Sequence, residues 1–246
     1  MDAVIEIRGL TYTYSGEQEP VLRNVQLQVP RGARCLVVGR NGAGKSTLLQ
    51  VLAGKHMVPV ESARVLGRPA FHDTSLAAHV SFVGGPFPFK SDIAVAEIVS
   101  RTEGVDPVRR DTLYRVLGID PAWRMYRVSD GQRRCVQLLL GLLQPVEVLL
   151  LDEVTTELDL IARMDLLEFL RQESTLRGVT ILHATHILDR LEDWCTHVML
   201  VEDGRVVRMQ AIQEVPEYRE AEARGVHGPL IQVVDAWLRG GGAPAR

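Results

Sequence analysis

The stretch GRNGAGKST, from Gly39 to Thr47, has the residue types and spacing of a phosphate-binding loop. It lies between an apolar run typical of a buried strand and a segment with helical periodicity, which is the context that such a loop requires. Glycines let backbone amides curl around phosphates, Lys45 supplies a positive charge to the terminal phosphates, and the Ser46 hydroxyl suits Mg²⁺. The alternative is a glycine-rich turn with an incidental lysine.

Two adjacent carboxylates, Asp152 and Glu153, end the apolar run VLLLDE. Because neighbouring side chains on a strand point in opposite directions, we expect the two to have different roles. Asp152 would face the metal and assist Mg²⁺, whereas Glu153 would orient or activate an attacking water. Acidic pairs are common at strand ends, so this pair gains meaning only together with the glycine-rich loop.

A histidine and a tyrosine have two interpretations each. His186 follows the apolar run VTILHAT and could contact a terminal phosphate or the water, although a lone histidine in such a place is more often structural. We expect the neighbouring His183 to be structural. Tyr14, upstream of the glycine-rich loop, could stack on an adenine, although a strand tyrosine in a small core is the commoner outcome.

The stretch RVSDGQRRCVQLLLGLLQP also has two interpretations. Ser129 and Gln132, just ahead of an apolar run, have the form of a capping box at a helix start. A helix N-terminus with free amides and a serine is equally an anion site, so the same residues could hold a phosphate. The residues alone leave both open.

The elements that position these residues follow from hydrophobic patterning. AVIEIRGLTYTY and VLRNVQLQV alternate and predict antiparallel strands, whereas ARCLVVG, VEVLLLD and GVTILHAT predict strands buried on both faces of a parallel sheet. A first helix should begin at about Lys45 and end at a left-handed Gly54. Residues 86–145 predict a helical insert, VEDGRVV a hairpin, and the last forty or so residues one amphipathic helix, GPLIQVVDAWLRG. The fold class is therefore α/β.

Composition excludes several classes of protein. The 246 residues are 46% hydrophobic, with 28 basic and 31 acidic side chains, so net charge provides no general attraction to nucleic acid or anionic lipid. Three scattered cysteines predict neither a disulfide framework nor a zinc site, and favour a reducing compartment. No run approaches the roughly 18–20 apolar residues that span a bilayer. We expect no transmembrane segment, no direct contact with nucleic acid, and a cytoplasmic location, with the nucleus as a second compartment.

In order and spacing, Tyr14, the glycine-rich loop, VSDGQ, VLLLDE, TTELD and His186 resemble the ATP-binding cassette (ABC) ATPase family, over residues 4–207 or so. The resemblance implies a P-loop nucleotide core with a small antiparallel sheet and a helical subdomain. It also implies ATP and Mg²⁺ as cofactors, and a head-to-tail dimer with an identical or different second subunit. In that dimer, Ser129 both caps its helix and touches the terminal phosphate of ATP bound to the other subunit.

The resemblance assigns roles to individual residues. It implies catalysis by Glu153 and His186, and Mg²⁺ binding by Ser46 and Asp152. The nucleotide-binding residues that it implies are Tyr14, Gly39, Arg40, Asn41, Gly42, Ala43, Gly44, Lys45, Ser46, Thr47, Ser129, Gly131 and Gln132.

Longer stretches narrow the resemblance. WRMYRVSDGQRR, LLLDEVTTELDLIARMDLLEFL and ATHILDRLEDW are similar to soluble, stand-alone ABC proteins, namely a fungal subunit associated with the Ccr-Not transcription and mRNA-decay complex and plant subfamily I members. This predicts a soluble Ccr-Not-like partner complex. Two alternatives remain: the ATPase subunit of a membrane transporter, and a nucleotide-gated scaffold with negligible turnover.

Two positions depart from the general family pattern. Asp130 replaces the first signature glycine; an acid in a first helical turn favours the helix dipole by about 0.3–1 kcal/mol but brings negative charge close to a phosphate. Gly85 stands where a glutamine usually contacts the metal and links the site to a transmembrane partner, which weakens the transporter interpretation.

We expect one ABC domain over residues 1–240, with a helical subdomain at about 86–145 and a flexible tail over 241–246. A helix at about 228–239 offers a possible docking surface for a partner. Four of its apolar residues lie along one face: Leu230, Val233, Val234 and Trp237. The alternative is that this stripe packs on the protein's own core.

Overall fold

The computed structural model describes residues 3–87 and 91–240. This part of the chain forms two sheets. The smaller sheet is antiparallel, with the spatial order β2 (Leu22–Pro30), β1 (Ala3–Tyr12), β4 (Ala63–Val65) and β5 (Arg68–Pro69). The larger sheet has the order β10 (Arg205–Ala211), β9 (His197–Glu202), β3 (Arg34–Val38), β8 (Thr180–Ala184), β7 (Val148–Asp152) and β6 (Val80–Gly84). All of its strand pairs are parallel except β9 with β10.

Helices alternate with the strands of the larger sheet along the chain, and two more follow its last strand. Those that the described ranges contain are α1 (Lys45–Leu52), α2 (Val95–Ser100), α3 (Pro107–Val116), α4 (Asp130–Leu142), α5 (Leu160–Arg177), α6 (Pro216–Ala223) and α7 (Pro229–Gly240). Two short 3₁₀ turns occupy Thr74–Ala78 and Ile212–Glu214. The arrangement confirms the predicted α/β class with an antiparallel sheet beside a mainly parallel one.

The larger sheet is buried on both faces, as the continuous apolar runs predict. On β3, Leu36 and Val38 face a core shared with α4, α5 and α7. The alternate residues Cys35 and Val37 face a second core, shared with β1, β2 and α1. Because successive strand residues point to opposite faces, only a strand that is apolar at every position can separate two cores.

The turns that enter and leave these elements also match the sequence. Gly54 has φ 69°, in the left-handed region, and follows the end of α1 as predicted. The β9–β10 hairpin turns at Asp203 and Gly204, whose φ values of 46° and 76° fit the two-residue turn that DG predicts.

The predicted helical insert connects two neighbouring strands of the larger sheet. β6 and β7 pair in parallel, and α2, α3 and α4 lie between them in the chain. α3 begins at Pro107 after the capping side chain of Asp106, which accepts a hydrogen bond from the Val108 amide. Part of the preceding stretch PFPFKSD, residues 88–90, lies outside the described residues.

The prediction of a single helix in the last forty or so residues was wrong, because two helices occur there. α6 precedes α7 and begins at Pro216, whose fixed φ suits the first helical position. Its sequence, PEYREAEA, buries only Tyr218 and Ala221, so it lacks the broad apolar face that marks α7. The predicted flexible tail, 241–246, lies outside the described residues.

The apolar stripe of α7 is not free to dock a partner. Its four members are between 0% and 5% exposed and belong to the core beneath α5 and β9: Leu230, Val233, Val234 and Trp237. Trp237 also lies under the Arg208 guanidinium, 4.8 Å from its ring centroid. The alternative interpretation, packing on the protein's own core, is therefore the one that the structure shows. Within the described ranges no helix combines the length and hydropathy that a bilayer crossing needs.

His183, at the middle of the larger sheet, is structural as expected. The ring on β8 is 1% exposed and lies edge-on to Trp194 at 5.8 Å between centroids. Burial lowers its pKa to about 4. Since an unfolded chain protonates histidine near pH 6.5, this ring stabilises the fold fully only above about pH 6.5 and loses that contribution as the pH falls towards 4.

We therefore predict that His183→Leu reduces the acid sensitivity of folding. Between pH 6.5 and 4, wild type should lose about 3 kcal/mol more unfolding free energy than the variant, because it alone must protonate a buried imidazole. Urea unfolding at a series of pH values measures this difference. His227→Leu, at an exposed histidine, is the control and should follow wild type. Equal pH dependence in wild type and His183→Leu would show that this prediction is wrong.

Candidate active site

The glycine-rich loop joins the end of β3 to the start of α1. A Cβ on Gly39 would stand 2.2 Å from the Val201 carbonyl oxygen, so only glycine fits beside β9. Gly44 is the N-cap of α1 with φ 104°, a conformation that side chains disfavour. The free amides of the first turn of α1 therefore open towards the loop, as a phosphate site requires.

Lys45 lies within the curve of this loop. Its ammonium donates to the carbonyls of Gly39 at 2.7 Å and Arg40 at 3.1 Å, and the residue is 7% exposed. Burial lowers the pKa of Lys45, while the nearby Glu153 and Asp152 carboxylates oppose that shift. The loop thus holds a desolvated positive charge between backbone oxygens and two acids.

The other loop residues differ in what their side chains do. Arg40 turns away from the loop and donates Nε and Nη2 to the Leu238 carbonyl on α7, at 3.2 and 2.8 Å. Only its backbone remains for a phosphate. Asn41 and Gly42 are exposed, whereas Ala43 is buried and accepts from the Gly204 amide through its carbonyl at 3.0 Å.

Ser46 and Asp152 meet across the end of the sheet. The Ser46 hydroxyl donates to Asp152 Oδ1 at 3.0 Å. Burial raises the pKa of Asp152, against the opposing effects of this hydrogen bond and of the charges of Lys45 and Arg134. The two side chains predicted for Mg²⁺ are thus brought together by α1 and β7.

Glu153 has different partners from Asp152, as expected for the adjacent carboxylates. β7 ends at Asp152, and Glu153 has φ 53°, a left-handed backbone that is unusual for glutamate. His186 Nε2 lies 3.0 Å from Glu153 Oε1, and the His186 side chain is 51% exposed. Burial raises the pKa of Glu153, opposed first by His186 and then by Lys45. The two predicted catalytic residues therefore lie next to each other, with both Glu153 carboxylate oxygens buried and the His186 ring half exposed.

Tyr14 is not a core residue of a strand. It lies beyond the end of β1 and is 36% exposed, and its hydroxyl is 2.9 Å from Thr47 Oγ1 on α1. The rings of Tyr12 and His56 lie nearly perpendicular to it, at 5.2 and 5.3 Å between centroids. The interpretation of Tyr14 as a buried strand residue is therefore wrong, and its role as a platform for adenine stays a prediction.

Ser129 and Gln132 form the capping box that their spacing predicts. The Gln132 amide donates to Ser129 Oγ at 3.2 Å, and the Ser129 amide donates to Gln132 Oε1 at 2.9 Å. Gly131 packs closely on the segment after β7, since a Cβ there would stand 2.8 Å from the Glu157 carbonyl oxygen. Together with residues at the start of α5, these three residues line a groove of about 780 Å³. Lys45 does not line this groove.

A polar cluster formed by Arg134, Gln137 and Glu157 was not among the residues that the sequence predicted. Arg134 Nη1 donates to the Gly85 carbonyl at 3.1 Å, and Nη2 lies 3.2 Å from Glu157 Oε1. Gln137 Nε2 donates to the Gly84 carbonyl at 3.2 Å. Helical spacing could have indicated part of it, because Arg134 and Gln137 are three positions apart and so share a face of α4.

Comparison with known proteins supports a family assignment. The model of the ABC transporter family matches residues 22–156, more than half of the chain. ABC transporter I family member 20 from Arabidopsis thaliana is 43% identical, over 97% of this chain and 76% of that protein. CCR4-associated factor 16 from Saccharomyces cerevisiae is 39% identical, over 92% of this chain and 85% of that protein.

Solved structures share the fold at lower identity. The ATP-binding subunit of an ABC transporter gives a TM-score of 0.78 at 22% identity, covering 96% of this chain and 99% of that one. A dimeric ATP-binding cassette in a post-hydrolysis state, bound to ADP and Pi, gives 0.69 at 20% identity, covering 85% and 98%. The family match, the close relatives and the fold agree: this chain belongs to the ABC transporter family, as one of its ATPase cassettes.

Proposed function

We propose that this chain binds Mg-ATP at the Gly39–Thr47 loop and hydrolyses it, with Glu153 activating the attacking water. The observation that carries the proposal is the Glu153–His186 pair, set beside Lys45 and the Ser46–Asp152 contact. The parallel sheet supports it by ending its strands at this edge, where ligands bind in open α/β folds.

The donors around the loop fit the nucleotide and the metal. Loop amides and Lys45 suit the phosphates, and the exposed Tyr14 ring suits the adenine face. Ser46 and Asp152 offer hard oxygens 3.0 Å apart, and Mg²⁺ usually takes only one or two such protein ligands beside phosphates and waters. When bound, Mg²⁺ would neutralise the negative charge that develops on the phosphate oxygens during hydrolysis.

Glu153 has the environment of a general base. Burial raises the pKa of its carboxyl, and a base is most effective when its pKa approaches the working pH. Glu153 would hold the water through one oxygen and take its proton. His186, whose Nε2 lies 3.0 Å from Glu153 Oε1, would orient the Glu153 carboxylate and lie next to the terminal phosphate of ATP.

We further propose that two such chains, identical or different, close head to tail around two ATP molecules. Ser129 caps α4 through its hydroxyl oxygen, and its hydroxyl hydrogen is then free to donate to a phosphate of the second subunit. The exposed first turn of α4 adds amides to the same task. Asp130, in that turn, would weaken this phosphate contact by charge repulsion.

We propose that residues 1–240 act as one ABC domain, with 86–145 as its helical subdomain, and that the chain serves a soluble Ccr-Not-like assembly in the cytoplasm or nucleus. Similarity to CCR4-associated factor 16 supports this. Gly85 supports it too, because it replaces the glutamine that usually links the nucleotide site to a transmembrane partner. The alternative, an ATPase subunit of a membrane transporter, is supported by other relatives, such as a methionine import ATP-binding protein.

We predict that Glu153→Gln keeps ATP binding and loses turnover by about two orders of magnitude or more, because the base is removed while the loop is intact. Lys45→Ala should instead weaken ATP binding itself. Phosphate release and equilibrium ATP binding measure the two effects. Unchanged turnover in Glu153→Gln would falsify the assignment of the base. A wild type that binds ATP without releasing phosphate would favour a nucleotide-gated scaffold.

We predict that ATP doubles the mass of Glu153→Gln in light scattering, and that adding Ser129→Arg prevents it. An arginine cannot enter a phosphate cage closed by a serine. Thr156→Arg on an exposed neighbouring segment tests whether any bulky cation at this surface acts alike. A monomer that still hydrolyses ATP at high protein concentration would contradict the composite site, whereas an inactive monomer would indicate a missing heteromeric subunit.

We predict that the tagged full chain, purified gently from fractionated cells, is recovered with soluble proteins rather than with integral membrane proteins. Truncating 228–246 is unsuitable as a test of docking, because α7 belongs to the core. Substitutions of exposed residues on other helices test docking of a partner without disturbing the core. One example is Ile161→Ser at the start of α5. Recovery mainly with integral membrane proteins would support the transporter alternative.

A further inference from the structure

The carboxyl end of β6 is held by side chains of another element rather than by its own. Gly85 has φ 70° and nothing within 4 Å of the position of a Cβ. The Gly85 carbonyl accepts from Arg134 at 3.1 Å, and the Gly84 carbonyl accepts from Gln137 at 3.2 Å. Both donors belong to α4, whose N-terminus carries Ser129. α4 therefore fixes this strand end through two hydrogen bonds.

Arg134 also contacts the segment that follows Glu153. Its Nη2 lies 3.2 Å from Glu157 Oε1, and its side chain is only 13% exposed. The close approach of Gly131 to the Glu157 carbonyl brings the backbones of the same two elements together. A guanidinium presents its donors as a rigid fork, so one side chain can serve acceptors on several elements at once. Arg134 thus joins α4, β6 and residues 154–159.

The strand end held by Arg134 lies against Asp152. Gly84 pairs with Asp152 in the parallel sheet, and a Cβ on Gly84 would stand 2.6 Å from the Asp152 Cβ. A shift of the Gly84 backbone towards Asp152 would therefore displace Asp152 or clash with it. The link runs from the helix that carries Ser129, through Arg134, to the backbone packed on Asp152.

We propose that Arg134 is a positioning residue that couples the two half-sites carried by one chain. The inference rests on the proposed function, in which Lys45, Asp152 and Glu153 act on one ATP and Ser129 acts on the ATP of the second subunit. Arg134 keeps these half-sites in a fixed relation, so closure around one ATP is transmitted to the other. Residue 85 is a glycine and has no side chain that could make this link. The Arg134 guanidinium, which belongs to α4, makes it instead through the Gly85 carbonyl.

The experiment compares Arg134→Met and Arg134→Lys with wild type in steady-state phosphate release at increasing ATP concentration. We expect kcat to fall about tenfold or more and the Hill coefficient to fall to about 1, while calorimetry shows ADP affinity within about threefold of wild type. Arg134→Lys should not rescue either value, because an ammonium cannot bridge the three elements. Unchanged kcat and Hill coefficient in Arg134→Met would overturn the inference.

Two controls separate positioning from general damage. Arg171→Met removes an exposed arginine whose partner, Glu168, is 2.7 Å away on the same helix, and it should leave all values unchanged. Thermal unfolding checks that Arg134→Met is folded. Loss of ADP affinity together with a large drop in Tm would indicate a purely structural residue and would also overturn the inference.

A readout independent of turnover distinguishes this inference from the proposed function. Amide hydrogen exchange over residues 84–87 and 154–159 should become faster in Arg134→Met and stay unchanged in Arg171→Met. If wild type dimerises with ATP and still fails to release phosphate, the proposed hydrolysis is wrong, and faster exchange in Arg134→Met still supports the link. Unchanged exchange in both segments would overturn the link whatever the turnover.

Discussion

The parallel pairing of β3, β8, β7 and β6 is the constraint on which the candidate site depends. In this register Val37 pairs with Ala184, Ala184 pairs with Asp152, and Asp152 pairs with Gly84, so the four strands end at one level. The segments that follow these four strands must therefore start at the same edge of the sheet. The glycine-rich loop, the two carboxylates and His186 therefore converge, although the loop precedes the carboxylates by more than a hundred residues in sequence.

Convergence of charges at a buried edge is costly unless each charge finds a partner, because low-dielectric surroundings penalise an isolated ion by several kcal/mol or more. The site meets this requirement in part: backbone carbonyls and two acids surround Lys45, and Ser46 donates to Asp152. Glu153 has His186 3.0 Å away, but neither of its buried carboxylate oxygens accepts a hydrogen bond. One element of strain remains, the left-handed backbone of Glu153, which costs on the order of 1–3 kcal/mol. It turns this carboxylate away from the line of β7 and towards His186.

The other half of the proposed composite site is built on the same chain but faces elsewhere. A satisfied capping box at Ser129 holds the start of α4 rigid, and Gly131 lets that start lie directly on the segment after β7. Arg134 and Gln137 then tie the helix to the end of β6. Rigid contacts of this kind make α4 and the sheet edge a single unit, which is the property that a dimer with shared ATP sites requires.

The sequence by itself determined most of the strands, their burial, most helices and the candidate residues of the site, because hydrophobic period, glycine placement and capping chemistry are local. It also determined the capping box at Ser129, which involves atoms only three residues apart. Tertiary structure decided what patterning leaves open. It buried the stripe around Trp237, placed Tyr14 outside its strand, split the C-terminal region into two helices and turned Arg40 towards α7. It alone formed the contact of Arg134 with Gly85 and Glu157. These outcomes depend on which surfaces meet, and an amphipathic face or a long cationic side chain carries no local signal of its eventual partner.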